Sequence, residues 1–184
     1  VCYCHTIKPV ANVWPIHILQ HPTESQHAIG TARIAELSLS QCELQVADRF
    51  DIATVVNHWD EESKPVLVYP GENAMSVDEI KLHRPGKLIF LDASWRKSRR
   101  MLFESPYLMD LARVSFEPET ASQYRIRKVP NPNALSTLEA IVHVLSVLEG
   151  KGNQYQPLLD SMNWMIEKQI ECMGEEIFLR NYNR

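Results

Sequence analysis

The chain has 184 residues, 45% of them hydrophobic, and carries a formal net charge of -4 at pH 7. This length suits one domain with a sizeable core, and the negative charge excludes a general attraction to nucleic acid, so such binding would need local basic patches. No apolar stretch approaches the roughly 18 residues of a membrane span and no leader precedes the first motif, so we expect a cytoplasmic protein.

Strands and helices alternate along the chain. The predicted strands are short apolar or alternating runs, at residues 13–19, 42–47, 65–69, 88–91 and 113–116. The predicted helices have apolar residues at helical spacing, at residues 25–37, 96–104, 140–149 and 157–174, with a short helical turn at 51–58. Ser25 is the expected cap of the first helix, and Ser136 with Glu139 predicts a capping box. The alternation predicts a single α/β domain, with a mostly parallel sheet and helices on both faces.

An acid, a hydroxyl and a large aromatic residue directly follow the fourth predicted strand. They are Asp92, Ser94 and Trp95, in the sequence Asp-Ala-Ser-Trp. Ligands bind at the carboxyl ends of strands in α/β proteins, so this turn predicts a ligand site. Two structural interpretations stay open, because an Asp and a hydroxyl residue can simply cap a helix and the Trp can belong to the core.

Basic residues follow this turn and recur in a later loop. They are Arg96, Lys97, Arg99 and Arg100, and then Arg125, Arg127 and Lys128. Next to a pocket, these side chains predict a local track for the phosphates of a nucleic acid. The alternative is a solvated helix face, which is the common fate of such runs.

Two further loops are expected near the turn at 92–95. One is the Pro70-Gly71 pair after the third predicted strand, and the other is the irregular stretch 120–132, which is long enough to be functional. Glycine-rich phosphate loops, the Gly-x-Ser-x-Gly elbow and the His-Glu-x-x-His pair are all absent from the sequence. A nucleotide held through its phosphates is therefore not expected, whereas a nucleoside without phosphates remains an open alternative.

Cys2 and Cys4 have the spacing of metal ligands, and His5 is the nearest candidate for a third ligand. A closed zinc site needs four ligands, so the pair predicts half of a site at most. The alternative is two ordinary terminal thiols. The uneven spread of the four cysteines argues against a disulfide framework.

Several of these motifs, in this order and spacing, resemble DTW-domain proteins. The shared motifs are Cys2-x-Cys4, His21-Pro22-x-Glu24, the Tyr69-Pro70 turn, Asp92-x-Ser94-Trp95 with its basic helix, Ser105-Pro106-Tyr107-Leu108, Tyr124-Arg125-x-Arg127 and Ser136-Thr137-x-Glu139-Ala140. The resemblance covers about residues 2–150, and within the family the chain is similar to bacterial tRNA-uridine aminocarboxypropyltransferases. It implies a SPOUT-like fold with a C-terminal trefoil knot, and transfer of the 3-amino-3-carboxypropyl group of S-adenosylmethionine to N3 of a tRNA uridine, with release of methylthioadenosine.

The chain departs from the family pattern at two places. Ser94 stands where the family usually has Thr, which keeps the hydroxyl. The zinc cluster of the family is present only as its second half, Cys2 and Cys4, so residues 1–5 are interpreted as the remnant of a zinc-binding segment. Zinc is expected only together with the upstream half.

The resemblance also implies roles for individual residues. The catalytic candidates are Asp92, Ser94 and Trp95, where Trp95 would wall the donor's sulfonium and Asp92 would either hold the donor's amino group or take the N3 proton. The expected contacts of S-adenosylmethionine are Pro70, Gly71, Leu91, Asp92, Ser94, Trp95, Tyr124, Ile126, Arg127, Ser136 and Thr137. The expected contacts of tRNA are Arg96, Lys97, Arg99, Arg100, Arg125 and Lys128.

Two other functions stay open at this point. The first is a SPOUT-like RNA methyltransferase that uses the same donor, and the second is a non-catalytic RNA-binding module. The product distinguishes them, because methyl transfer leaves S-adenosylhomocysteine and a binding module leaves none. The tRNA position and the oligomeric state are not predicted.

Overall fold

A six-stranded, fully parallel sheet is the centre of the computed structural model, which describes residues 2–27, 30–51, 64–82, 86–118, 122–126 and 134–182. In chain order the strands are β1 (Ile16–Gln20), β2 (Cys42–Val46), β3 (Val66–Val68), β4 (Met75–Ser76), β5 (Leu88–Asp92) and β6 (Ala112–Ser115). Their order across the sheet is β2-β1-β5-β3-β6-β4. The predicted α/β class with a mostly parallel sheet is confirmed. The predicted knot stays a prediction.

The helices of the described residues cover both faces of this sheet. They are α1 (Pro22–Ser25), α2 (Ala32–Ser38), α3 (Val77–Ile80), α4 (Trp95–Glu104), α5 (Pro106–Met109), α6 (Thr137–Glu149), α7 (Gln156–Met173) and α8 (Glu175–Tyr182), with 3-10 turns at Cys4–Thr6 and Gly152–Tyr155. None of these described helices combines the length and the hydropathy that crossing a membrane requires.

Side chains of β5 alternate between two cores, as they must in a strand. Leu88 and Phe90 belong to the larger core with α2, α3, α6 and α7, whereas Ile89 belongs to a smaller core with α4 and α5. The smaller core also buries Met101 and Leu102 of α4. Helices therefore pack on both faces of the sheet, and successive residues of β5 face the larger and the smaller core in turn.

One predicted helix is wrong at its start. The expected helix over 25–37 begins only at Ala32, and Ser25 is the last residue of α1 instead of a cap. The sequence reason is Pro22, whose fixed φ favours the first position of a helix, so a short helix starts there and ends before Gly30. The His21 ring caps it by accepting a hydrogen bond from the Thr23 amide.

The other predicted elements agree within a few residues, and besides α1 four elements were not predicted. Strand β1 starts at Ile16, directly after Pro15, and not at residue 13. The unpredicted elements are β4, α3, α5 and α8, which are short or carry few apolar residues at regular spacing. Most of the helical turn expected at 51–58 lies outside the described residues, and 122–126 forms neither a helix nor a strand.

The capping box that begins α6 is confirmed and does more than cap. Ser136 Oγ accepts from the Glu139 amide, and the Glu139 carboxylate accepts from the Ser136 amide at 2.7 Å. The same buried carboxylate accepts from Ser122 Oγ at 2.8 Å and from the Gln123 amide at 2.7 Å. Glu139 thus ties the loop at 122–126 to the start of α6.

We expect Glu139→Ala to lower the free energy of unfolding by about 2–3 kcal/mol, because it leaves donors that bond to a buried carboxylate without a partner. A matched control is Glu79→Ala, which removes the same capping box from the start of α3, where the carboxylate is exposed and water can replace it. Urea unfolding of both variants measures the difference. Equal losses in the two variants would contradict the anchoring role of Glu139.

Candidate functional site

A cavity of about 540 Å³ opens at the carboxyl edge of the sheet. Its volume lies within the range of small-molecule sites. It is lined by residues from the ends of β3, β5 and β6 and from the start of α6: Val68, Tyr69, Pro70, Phe90, Leu91, Ala93, Trp95, Ser98, Val114, Ser115, Phe116, Glu117, Pro118, Ala134, Leu135, Ser136, Thr137 and Ala140. The wall combines apolar side chains with hydroxyls and one carboxylate that can orient a ligand.

Strand order explains why the cavity forms here. Strand β5 lies between β1 and β3, although both precede it in the chain. The turn after β5 therefore comes next to the segments that follow β1 and β3, because parallel strands bring their carboxyl ends to one edge. The carboxyl ends of strands are the expected place for ligands, and the turn at 92–95 lies at that edge as predicted.

Asp92 joins three elements at this edge. Gln20, the last residue of β1, donates from Nε2 to Asp92 Oδ2 at 2.7 Å. Thr137, the first residue of α6, donates from Oγ1 to Asp92 Oδ1 at 2.5 Å. Thr137 lines the cavity, whereas Asp92 and Gln20 lie beside its lining. The Thr137 hydroxyl uses its hydrogen in the bond to Asp92, so towards the cavity its oxygen can act only as a hydrogen-bond acceptor.

Trp95 forms one side of the opening with Tyr69. The Trp95 ring is 49% exposed, and its centroid lies 5.7 Å from that of Tyr69. The Tyr69 hydroxyl is 3.1 Å from Ser98 Oγ, and the Arg113 guanidinium lies 5.9 Å from the Tyr69 ring centroid. These contacts fix Tyr69 from both sides and leave the indole partly free. Trp95 is therefore not a core residue.

Ser94 occupies the cap position before α4 without capping it. Its backbone is extended, as a cap requires, but its side chain makes no capping hydrogen bond. The simplest structural explanation for this hydroxyl, an ordinary N-cap, is thus not what the structure has.

The other residues predicted to contact the donor divide into those that line the cavity and those, including Gly71, that do not. Pro70, Leu91, Ser136 and Thr137 line the cavity together with Trp95. Tyr124 packs against the larger core and Ile126 is buried in it, while Arg127 lies outside the described residues. Gly71 is pressed against Arg113, since a Cβ there would lie 2.9 Å from Arg113 Cδ.

Sequence reasoning missed several residues of the site. Gln20, Tyr69, Ser98, Ser115, Phe116 and Glu117 all contribute to it or support it. Most of them lie at or just after the ends of predicted strands, so the position of the strand ends was the signal that could have found them.

The predicted basic track is only partly free in this structure. Lys97 pairs with Glu24 at 2.9 Å and also contacts Thr23. Arg100 pairs with Glu104 at 2.7 Å, and Arg125 pairs with Glu167. Arg96 and Arg99 are exposed and make no ion pair with another described residue. Lys128 lies outside the described residues.

Residues Cys2 and Cys4 form a close but open pair. Both thiols are exposed, and hydrogen bonds from Cys4 lower the pKa of Cys2. The third candidate ligand, His5, packs edge-on against Trp164 with the ring centroids 4.5 Å apart. No group of three or more potential metal ligands comes together among the described residues. The half-site therefore gains no further ligand from this part of the chain.

Comparisons with known proteins point to one family. A family model described as the DTW domain matches residues 1–170. The tRNA-uridine aminocarboxypropyltransferase 2 of Drosophila melanogaster is 29% identical and matches 98% of this chain and 77% of its own length. The proteins of the same name from Mus musculus and Macaca fascicularis are 26% and 28% identical, and match 98% and 86% of this chain and 65% and 56% of their own lengths. The chain therefore spans only part of the length of these relatives. No solved structure gives a significant match.

We expect Gln20→Glu to lower the free energy of unfolding by about 2 kcal/mol at pH 7, because it places a second carboxylate beside Asp92 in a partly buried site. Gln20→Met is the control, since it removes the hydrogen bond without adding charge, and it should cost less. Urea unfolding at pH 7 measures both losses, and a loss for Gln20→Glu no larger than that for Gln20→Met would contradict the contact.

Proposed function

This chain belongs to the DTW-domain family, and we propose that it is a tRNA-uridine aminocarboxypropyltransferase with S-adenosylmethionine as the donor. N3 of the uridine gives its proton to solvent water at the opening and attacks the carbon of the aminocarboxypropyl arm next to sulfur. A nitrogen–carbon bond forms, the carbon–sulfur bond breaks with its electrons going to sulfur, and the sulfonium becomes the neutral thioether of methylthioadenosine. The SPOUT-like classification belongs to this proposal. So does a cytoplasmic location.

The observation that carries the proposal is the cavity bounded by the very motifs that define the resemblance. The Tyr-Pro turn, the turn at 92–95 and the start of α6 all contribute to its wall. Its apolar part, from Val68, Phe90, Val114 and Leu135, suits the adenine ring of the donor. Its size and its lack of a phosphate loop both fit a nucleoside donor that carries no phosphate.

The polar groups at the start of α6 suit the amino acid part of the donor. The Thr137 hydroxyl oxygen lies at the wall and is held in place by its hydrogen bond to Asp92. It can accept a hydrogen bond from the donor's ammonium group. Two roles were predicted for Asp92, and binding of the donor's amino group agrees better with this arrangement than proton abstraction. Asp92 would act indirectly, by orienting the Thr137 hydroxyl that contacts the amino group. A base would need a carboxylate oxygen at the cavity wall facing the uridine.

Trp95 and Ser94 suit the reacting end of the donor. An indole face favours a cation, so Trp95 would hold the sulfonium near the opening. Ser94 is not part of the cavity lining, but it lies between Ala93 and Trp95, which are, and its hydroxyl makes no capping hydrogen bond, so in this proposal it bonds to the donor or to the uridine carbonyl. In this arrangement the reaction that occurs depends on which carbon arm of the sulfonium faces the acceptor, so orientation decides the product.

The basic residues beside the opening suit the tRNA backbone. Arg96 and Arg99 are exposed, and the partners of Arg100 and Arg125 are themselves exposed carboxylates or nearly so, which phosphates can displace at small cost. Lys97, whose amine already bonds to Glu24 and Thr23, instead holds α1 against α4. Arg96 and Arg99, which make no ion pair within the described part of the chain, give a short track, and this fits a net negative protein that attracts RNA only locally.

A SPOUT-like methyltransferase is the second candidate, because the same cavity and donor would serve it. Only the direction of the sulfonium differs between the two reactions. A binding module without activity is the third, and the cavity argues against it, since binding RNA alone does not need a pocket with the volume of a small-molecule site.

We expect the purified chain with S-adenosylmethionine and unmodified tRNA to release methylthioadenosine and to add one aminocarboxypropyl group to a uridine. Mass analysis of digested tRNA and chromatography of the small product measure both. Ala140→Phe, which fills the cavity from α6, should abolish product while the chain stays folded by circular dichroism. A gain of one methyl group with S-adenosylhomocysteine would establish the second candidate, and no product under any donor concentration would overturn the proposal.

A further inference from the structure

Phe103 is an aromatic side chain that the fold does not use. It is 80% exposed, although the opposite side of α4 is well packed through Ser98, Met101 and Leu102. Helical geometry places Phe103 on the same face as Arg96 and Arg99, at positions i, i+3 and i+7. An exposed phenyl ring therefore lies within a stripe of exposed guanidinium groups.

The stripe begins at the opening of the cavity. Trp95 and Arg99 are neighbours at positions i and i+4, and Trp95 forms one side of the opening. Phe103 comes eight residues after Trp95, which is about 12 Å along the helix axis. This distance lies within the reach of the nucleotides that flank one bound at the opening.

Charge on this helix selects the partner. Four basic side chains and one acidic side chain lie within Trp95–Glu104, although the whole chain has a net charge of -4. A cationic face with one bare aromatic ring matches single-stranded nucleic acid, whose phosphates pair with arginine and whose bases stack on aromatic rings. An apolar protein surface would instead have to bury the unpaired charges of Arg96 and Arg99, which is costly.

From these observations we infer that the outer face of α4 binds a single-stranded segment of the substrate tRNA, with a base near the target uridine stacked on Phe103 and its phosphates on Arg96 and Arg99. The inference rests on the proposed function, since it names the RNA contact of the same site. The role of Phe103 is recognition of the RNA, and it takes no part in the transfer itself.

Phe103 variants test the inference by measuring the affinity for unmodified tRNA by fluorescence anisotropy, at a fixed salt concentration. Phe103→Ala should weaken binding about tenfold, which corresponds to about 1.4 kcal/mol. Phe103→Leu should weaken it similarly, because it keeps an apolar side chain but loses the flat ring, and Phe103→Trp should bind like the wild type. The affinity for S-adenosylmethionine, measured by calorimetry, should not change in any of them.

A matched control is Val13→Ala, which shortens another exposed apolar side chain. Val13 lies at the opposite edge of the sheet, where its amide donates to Glu149 at the end of α6. This variant should bind tRNA like the wild type. Arg96→Glu with Arg99→Glu should weaken tRNA binding and flatten its salt dependence, because two phosphate contacts are lost.

The outcomes separate this inference from the proposed function. If the wild type binds and modifies tRNA while Phe103→Ala and Phe103→Leu match it, the stacking surface is overturned and the proposed function stands. If Phe103→Ala changes the oligomeric state in gel filtration but not tRNA affinity, the face is a protein interface and the inference is equally overturned. If the wild type binds no tRNA, both fail together.

Discussion

The hydrogen bonds of Asp92 are the constraint on which the site depends. Its two carboxylate oxygens receive Gln20 from the end of β1 and Thr137 from the start of α6, so one side chain fixes the relative position of three elements. The capping box of Glu139 holds the start of α6 from its other side and adds the loop at 122–126. Together these two acids hold the start of α6, where Ser136 and Thr137 line the cavity.

In the proposed reaction, this rigid frame replaces any elaborate catalytic group. A sulfonium donor offers three carbon arms, and the one that reacts is the one presented to the acceptor. The frame would place the amino acid part at Thr137 and the sulfonium at Trp95, and α4 would bring the RNA to the same opening. The same chemistry would give a methyltransferase if the donor were turned, so selectivity rests on geometry held by the hydrogen bonds of Asp92.

Much of this was predictable from the sequence, and the failures have physical causes. The turn at 92–95 could be predicted because it follows a clearly apolar strand. The capping box at Ser136 could be predicted because it depends only on residues close in the sequence. The helix start at Ala32 was missed because the apolar spacing of residues 25–37 continues across a segment that Pro22 and Gly30 divide. The hydrogen bond from Gln20 to Asp92 could not be predicted, since the two residues lie 72 positions apart and only strand order brings them together. The ion pairs of Lys97 and Arg125 could not be predicted either, because their partners are also distant in the sequence.

A crystal structure of the chain with S-adenosylmethionine bound tests the central claim most directly. The account predicts the adenosine within the cavity, the ammonium group within hydrogen-bond distance of Thr137 Oγ1, and the reactive carbon of the aminocarboxypropyl arm facing the opening beside Trp95. A donor whose methyl group faces the opening while that arm is enclosed would contradict the account, and so would a donor bound away from the carboxyl edge of the sheet.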